Sequence, residues 1–289
     1  MIYIKRDVLT KLAKQYADEV WTDALGNLIC HKKSSGSESS RKILLAAHMD
    51  SLGIVITFID DNGFLRFAPV GGLFRGDLIN IQVRFANGVR GVISYEEKTA
   101  FKDLQMQHLF VDIGASSREE AEQMVQVGDF AVFDAPMFEQ NRIGCVTLLL
   151  TMANMPLSVP DDLYFVFTAQ EEVGLRGAQT AAFALEPDLA IAVDVTDTGD
   201  LPEHKYPMDC HLGKGPAVKV MDHSVLCTPK VRSALEEAGL MAAVPVQKDI
   251  LQFGGTDTAA LQRSRSGVPA GAISIPTRYI HSPSEMCAV

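Results

Sequence analysis

Two imidazoles and four carboxylates stand in four short segments, each placed where an apolar run stops. The segments are Ala47-His48-Met49-Asp50, Gln170-Glu171-Glu172-Val173-Gly174, Val193-Asp194-Val195-Thr196 and Tyr279-Ile280-His281-Ser282. Nitrogen and oxygen donors in this proportion suit zinc or cobalt. His48 and Asp50 flank one residue at a strand end, so both side chains point to the same side. A metal-binding imidazole commonly hands its other N–H to a carboxylate, and Asp50 could take that N–H or could orient a catalytic base. Glu171 and Glu172 are adjacent and point to different sides, so one could hold a metal while the other handles protons.

Each segment alone has an ordinary explanation. His48 and Asp50 could be a satisfied surface pair. The two glutamates could favour a helix start. Asp194 could be solvated at a strand tip, and His281 could be an idle loop residue. Together, in the order His…Glu-Glu…Asp…His, they exceed the needs of one structural site and point to a metal centre.

The elements that must position them follow from pattern. Lys42 to Ala47 is a continuous apolar run, the kind buried on both faces of a parallel sheet. Leu163 to Phe167, Leu189 to Val193 and Ala270 to Ile275 read the same way. Helices are expected over 8–18, 143–155, 175–185 and 231–238, with another starting at Thr258. Strands alternating with helices imply a mostly parallel sheet, and ligands bind such sheets at the C-terminal strand ends. Between residues 54 and 134 the character changes to short alternating segments. They are punctuated by Asn62-Gly63, Gly71-Gly72 and Asn87-Gly88, strong hairpin signals. The expected architecture is α/β, a mostly parallel-sheet domain with helices on both faces from residues 1–53 and 135–289, interrupted by a small β-barrel at 54–134.

Bulk properties exclude some functions. The chain has 289 residues, is 47% hydrophobic and carries a formal net charge of −10. Such a surface argues against nucleic acid or an anionic membrane as partner. No apolar run reaches the roughly 18 residues that a membrane helix needs. The five cysteines are odd in number with no C-x-x-C pair, and the start lacks a signal-peptide layout, so the cytoplasm is expected.

The chain resembles the glutamyl-aminopeptidase and tetrahedral-aminopeptidase family of dinuclear metallopeptidases. The resemblance rests on Ala47-His48-Met49-Asp50-Ser51-Leu52-Gly53, on the run from Thr168 to Ala178, and on Asp194-Val195-Thr196. Phe253-Gly254-Gly255-Thr256-Asp257 and Arg278 to Pro283 extend it, and Pro69-Val70-Gly71-Gly72 carries it into the inserted block. It implies that His48, Glu172, Asp194 and His281 hold two divalent ions, zinc or cobalt. Glu171 would be the general base and acid acting through a bridging water, and Asp50 its supporting partner. Peptides with a free N-terminus would be substrates, and the inserted block would serve self-assembly into dimers or a hollow dodecamer.

One segment departs from the pattern. Where the family carries Asp-x-Arg-x-Gly, with an Asp bridging the metals, this chain has Gln140-Asn141-Arg142-Ile143-Gly144. An amide offers one acceptor oxygen and removes a compensating charge. Weaker metal binding, one ion rather than two, and slow or absent turnover are the expectation. The rival expectation is a non-catalytic relative serving as a structural or regulatory assembly subunit. The family also extends further at both ends, and loss of a terminal helix is expected to bare apolar sheet surface.

Overall fold

The structure is a computed structural model that describes residues 2–36, 40–134, 142–204 and 206–288. In chain order it opens with helix α1 (Ile2–Ala13) and strands β1 (Glu19–Thr22), β2 (Leu28–Lys32) and β3 (Lys42–His48). Next come β4 (Gly53–Ile59), β5 (Leu65–Val70), β6 (Gln82–Phe85), β7 (Arg90–Tyr95), β8 (Leu109–Asp112), α2 (Arg118–Met124) and β9 (Phe130–Phe133). Then follow α3 (Ile143–Asn154), β10 (Asp162–Thr168), α4 (Arg176–Leu185), β11 (Leu189–Thr196) and β12 (Ala217–Met221). The chain ends with α5 (Pro229–Met241), β13 (Gln247–Ile250), α6 (Asp257–Gln262), β14 (Ala270–Arg278) and β15 (Met286–Cys287). Two compact units result. The first holds residues up to 50 and, of the described ones, 142–280 and 286–288. The second holds 51–134 and 281–285.

In the first unit the strand order is β1-β2-β10-β3-β11-β14-β12-β13, with β15 paired to β14. The central strands β10, β3, β11 and β14 run parallel, while β2 and β12 join them antiparallel. The apolar runs have the two-faced burial that a covered parallel sheet requires. On β10, Phe165 and Phe167 join a core with Leu148, Met152 and Cys145 of α3. Val166 between them faces the opposite core, with Ala178, Ala181 and Ala182 of α4 and Leu261 of α6. That second core is lined by small residues, also including Ala46, Ala190, Ala192, Ala270 and Ala272, which lets helices lie close to the sheet.

The expected sheet core is present, and the antiparallel edges add to it. Strands β12 and β13 carry Lys219 and Asp249 in mid-strand, so they lacked the apolar run used to find the others.

The second unit is a closed barrel in the order β4-β5-β8-β7-β6-β9. Alternate residues such as Ile54, Ile56, Leu65, Phe67, Val83, Phe85, Ile93 and Val111 fill its interior. At the β6–β7 hairpin, Gly88 adopts φ +92°, the left-handed backbone that its turn demands. Asn87 accepts the Val89 N–H there at 3.0 Å. Among the described residues no helix is long and apolar enough to cross a membrane.

One side chain couples the first hairpin to the loop after β10. Asn27, wholly buried, accepts the Ala169 N–H at 2.8 Å and donates to the Gly177 carbonyl at 2.9 Å. It also donates to Asp23 at 2.6 Å, whose other oxygen caps the hairpin amides of Leu25, Gly26 and Asn27. A Cβ on Gly177 would lie 2.2 Å from Asn27 Oδ1, so glycine is required for this approach. Asn27→Ala strands a buried amide and a buried carbonyl and is expected to cost about 3 kcal/mol. An unchanged urea-denaturation midpoint would refute this account of the hairpin.

Candidate metal centre

Three parallel strands end side by side in the first unit, and their tips carry the acids. Thr168, last residue of β10, is the register partner of His48, last residue of β3. Asp194 lies on β11 two residues before its end. His48 Nε2 is 3.5 Å from Asp194 Oδ1, and its Nδ1 is 3.2 Å from the Asp50 main-chain oxygen. The Asp50 carboxylate is 3.8 Å from that ring. Its closer partners are two backbone amides, since Glu171 N–H donates to one oxygen at 3.1 Å and Glu172 N–H to the other at 3.2 Å. Of the two roles open to Asp50 in the sequence, these bonds are those of a group orienting the Glu171–Glu172 loop.

That loop is held in an uncommon conformation. Gln170 and Leu175 have φ of 60° and 57°, left-handed values that cost a non-glycine residue roughly 1–2 kcal/mol each. The Glu171 carbonyl accepts the N–H groups of Gly174 and Leu175, closing a tight turn ahead of α4. The result puts one ligand atom each of His48, Glu171 and Glu172 within 4.8 Å of one another.

Electrostatics at this point are lopsided. Burial raises the Glu171 carboxyl well above the usual carboxylate range; His48 opposes the rise, and Asp194, Asp257 and Glu172 add to it. For His48, burial disfavours the charged ring, but Asp194 beside it, with Glu171 and Glu172, carries its basicity well above normal. A protein that withdraws this many acids from water around one imidazole binds protons or another cation there.

Asp257 is a further acid, at the end of the Phe253–Asp257 run that the sequence offers as pocket residues for specificity. It is buried, and its carboxyl is pushed up to about 7, chiefly by burial. Its Oδ2 accepts from Thr168 Oγ1 at 2.5 Å, while Oδ1 has no hydrogen-bond partner among the described residues. Its position as the first residue of α6, just after the N-cap Thr256, was the available signal. The donor set, nitrogen plus clustered carboxylate oxygens with an unsatisfied buried acid behind them, fits a divalent cation.

His281 belongs to the second unit, where its Nδ1 lies 2.9 Å from the Gly72 carbonyl oxygen. Glu139, Gln140 and Asn141, on which the departure from the Asp-x-Arg-x-Gly pattern turns, lie outside the described residues.

Comparison with known proteins identifies the family. Residues 26–289 match the profile of the M42 glutamyl aminopeptidase family. A protein of Acetivibrio thermocellus is 48% identical over 295 residues, covering 98% of this chain and 88% of its own length. An aminopeptidase from the archaeon Desulfurococcus kamchatkensis superposes with a TM-score of 0.91 at 38% identity, over 98% of this chain and 84% of that one. The TET1 peptidase of Pyrococcus horikoshii, which can assemble into a tetrahedron or a large octahedral shell, has a TM-score of 0.82 at 31% identity, over 97% and 87%. With its sheet, its closed barrel and its cluster of acids around His48, this chain belongs to the M42 glutamyl aminopeptidase family, and so to the hydrolases.

Proposed function

We propose that the protein removes N-terminal residues from peptides in a metal-dependent reaction. The observation that carries this reading is the placement of His48, Glu171 and Glu172 within 4.8 Å of one another at strand tips. His48, Glu172 and Asp194 would hold divalent metal, zinc or cobalt by donor chemistry. His281 enters the ligand set through its motif in the sequence, Tyr279-Ile280-His281-Ser282. A divalent ion in such a site supplies Lewis acidity, which acidifies water and polarises a carbonyl.

Glu171 is the proton carrier. Its buried carboxylate accepts a proton from the water that attacks the scissile carbonyl carbon, then delivers it to the amine nitrogen as the C–N bond breaks. Burial and the neighbouring acids favour the protonated form it must visit. Asp50 fixes the backbone of the carrier and of Glu172 together, through one amide each. Surplus carboxylate at the site suits a substrate with a free α-ammonium group.

Assembly belongs to the same proposal. The second unit, residues 54–134 in the sequence reading, exposes Phe58, Phe74, Phe101, Val127 and Phe130. Apolar surface of this kind supports contact with further copies, in a dimer or a dodecamer. Cytoplasmic residence is supported by four buried cysteines, Cys30, Cys145, Cys210 and Cys227, that stand as thiols.

Gln140 favours a second reading, in which the chain is impaired or serves only as an assembly subunit. In the sequence it takes the place of the Asp in the family's Asp-x-Arg-x-Gly segment, and an amide would join two cations less well than a carboxylate. Gln140→Asp is then expected to raise bound metal from about one ion per chain to two and to increase peptidase turnover. Two tightly held ions and full turnover in the unchanged protein, counted by elemental analysis beside an aminoacyl-anilide assay, would dismiss the impairment.

Two substitutions test the roles in the primary reading. Glu171→Gln is expected to lower kcat by about a hundredfold or more with metal content kept, since general acid–base groups contribute 10²–10⁴. His48→Ala is expected to lose metal first and activity with it. Retained turnover in Glu171→Gln would remove it as proton carrier, and normal metal content in His48→Ala would remove it as a ligand.

A further inference from the structure

A charged network that the proposed reaction does not use lies on the far half of the sheet in the first unit. Lys219 on β12 is completely buried, as are Asp249 on β13 and, just past β12, Asp222. The Lys219 ammonium donates to Asp249 Oδ2 at 2.5 Å and lies 3.8 Å from Asp222 Oδ2. A buried ammonium is costly unless paired, and one shared by two aspartates is a rigid fitting.

Each aspartate reaches back towards the site. Asp249 accepts from Thr196 Oγ1 at 3.0 Å and from Ser274 Oγ at 2.6 Å. Thr196 stands two residues beyond Asp194 on β11, and Ser274 is the register partner of Asp194 on β14. Asp222 accepts from Thr256 Oγ1 at 3.3 Å, and Thr256 immediately precedes the helix whose first residue is Asp257. Thr256 also bonds Thr258 at 2.9 Å, so the tie reaches into that helix turn. The other oxygen of Asp222 holds the turn amides of Ser224 and Val225, which fixes that carboxylate in turn. One ammonium therefore anchors the two backbone segments that bring Asp194 and Asp257 beside His48 and Thr168.

We propose that Lys219 is a positioning residue of the metal centre: through Asp249 and Asp222 it sets where Asp194 and Asp257 stand. This inference rests on the metal reading above for its consequence, but the mechanical tie can be tested without metal. Supports behind a metal site typically change affinity 10–100-fold when removed.

The test uses the full chain with Co2+ as probe. Lys219→Met removes the anchor. Thr196→Val with Thr256→Val leaves the ion pairs and the Ser274 bond intact and cuts the Thr196 and Thr256 ties, together with the Thr256–Thr258 bond, so it decides the matter if Lys219→Met fails to fold. Both proteins are expected to bind Co2+ at least about tenfold more weakly and to alter its visible absorption. Without metal, amide exchange should quicken at residues 194–200 and 253–262. A lower melting temperature alone, with Co2+ affinity, spectrum and exchange unchanged in the threonine variant, overturns the proposal and leaves the network as core stability. If the unchanged protein takes up no Co2+, the metal reading falls; exchange at the two segments then decides the tie by itself, and no change there overturns it.

Discussion

Acids crowded out of water at the ends of β3, β10 and β11 constrain everything around them. Asp50, Glu171, Asp194 and Asp257 are all buried, with His48 as the imidazole among them. Like charges in a poorly solvated place repel strongly, and each also forfeits hydration. The fold answers partly with backbone amides, which Asp50 receives, and partly with hydroxyls, one of which Asp257 receives. What those do not offset is left as raised proton affinity on Glu171 and His48. The same imbalance that would destabilise an inert protein here makes a receptacle for positive charge.

Holding that arrangement requires a stiff frame. The sheet supplies it through register, because β10 and β3 end on partnered residues, Thr168 and His48. Asn27 supplies it from the other side, tying Ala169 and Gly177 across the loop that carries both glutamates. Left-handed backbone at Gln170 and Leu175 is tolerated because these bonds leave the loop no easier path.

The sequence disclosed the apolar centre of this architecture well. Leu44 to Ala47 and Leu163 to Phe167 contribute to the cores on both faces of the sheet, and uninterrupted hydrophobicity is what such strands require. Hairpins of the second unit showed through Asn-Gly pairs, as at Gly88. Strands β12 and β13 did not show, because Lys219 and Asp249 interrupt them and only three-dimensional pairing makes those charges tolerable inside a sheet. In the site, His48, Asp50, Glu171, Glu172 and Asp194 were legible from their positions at the ends of apolar runs. The part of Asp257 was not, since its partner Thr168 is 89 residues away and no local pattern joins them. Asp50 shows the same limit: its type and spacing left open a partner for an imidazole or a group that orients the base, and only three-dimensional structure shows its bonds to the Glu171 and Glu172 amides.

The barrel of the second unit has no first or last strand, as β9 closes onto both β4 and β6. Open sheets can recruit a neighbour by extending the hydrogen-bonded ladder, a mode that is hard to terminate and prone to runaway growth. A ring with both rims satisfied offers no such seam. Copies that meet through this unit must do so with protruding side chains such as Phe74 and Phe130, whose finite patches saturate. Closure of the strands thus removes ladder extension as a way for copies to join through this unit.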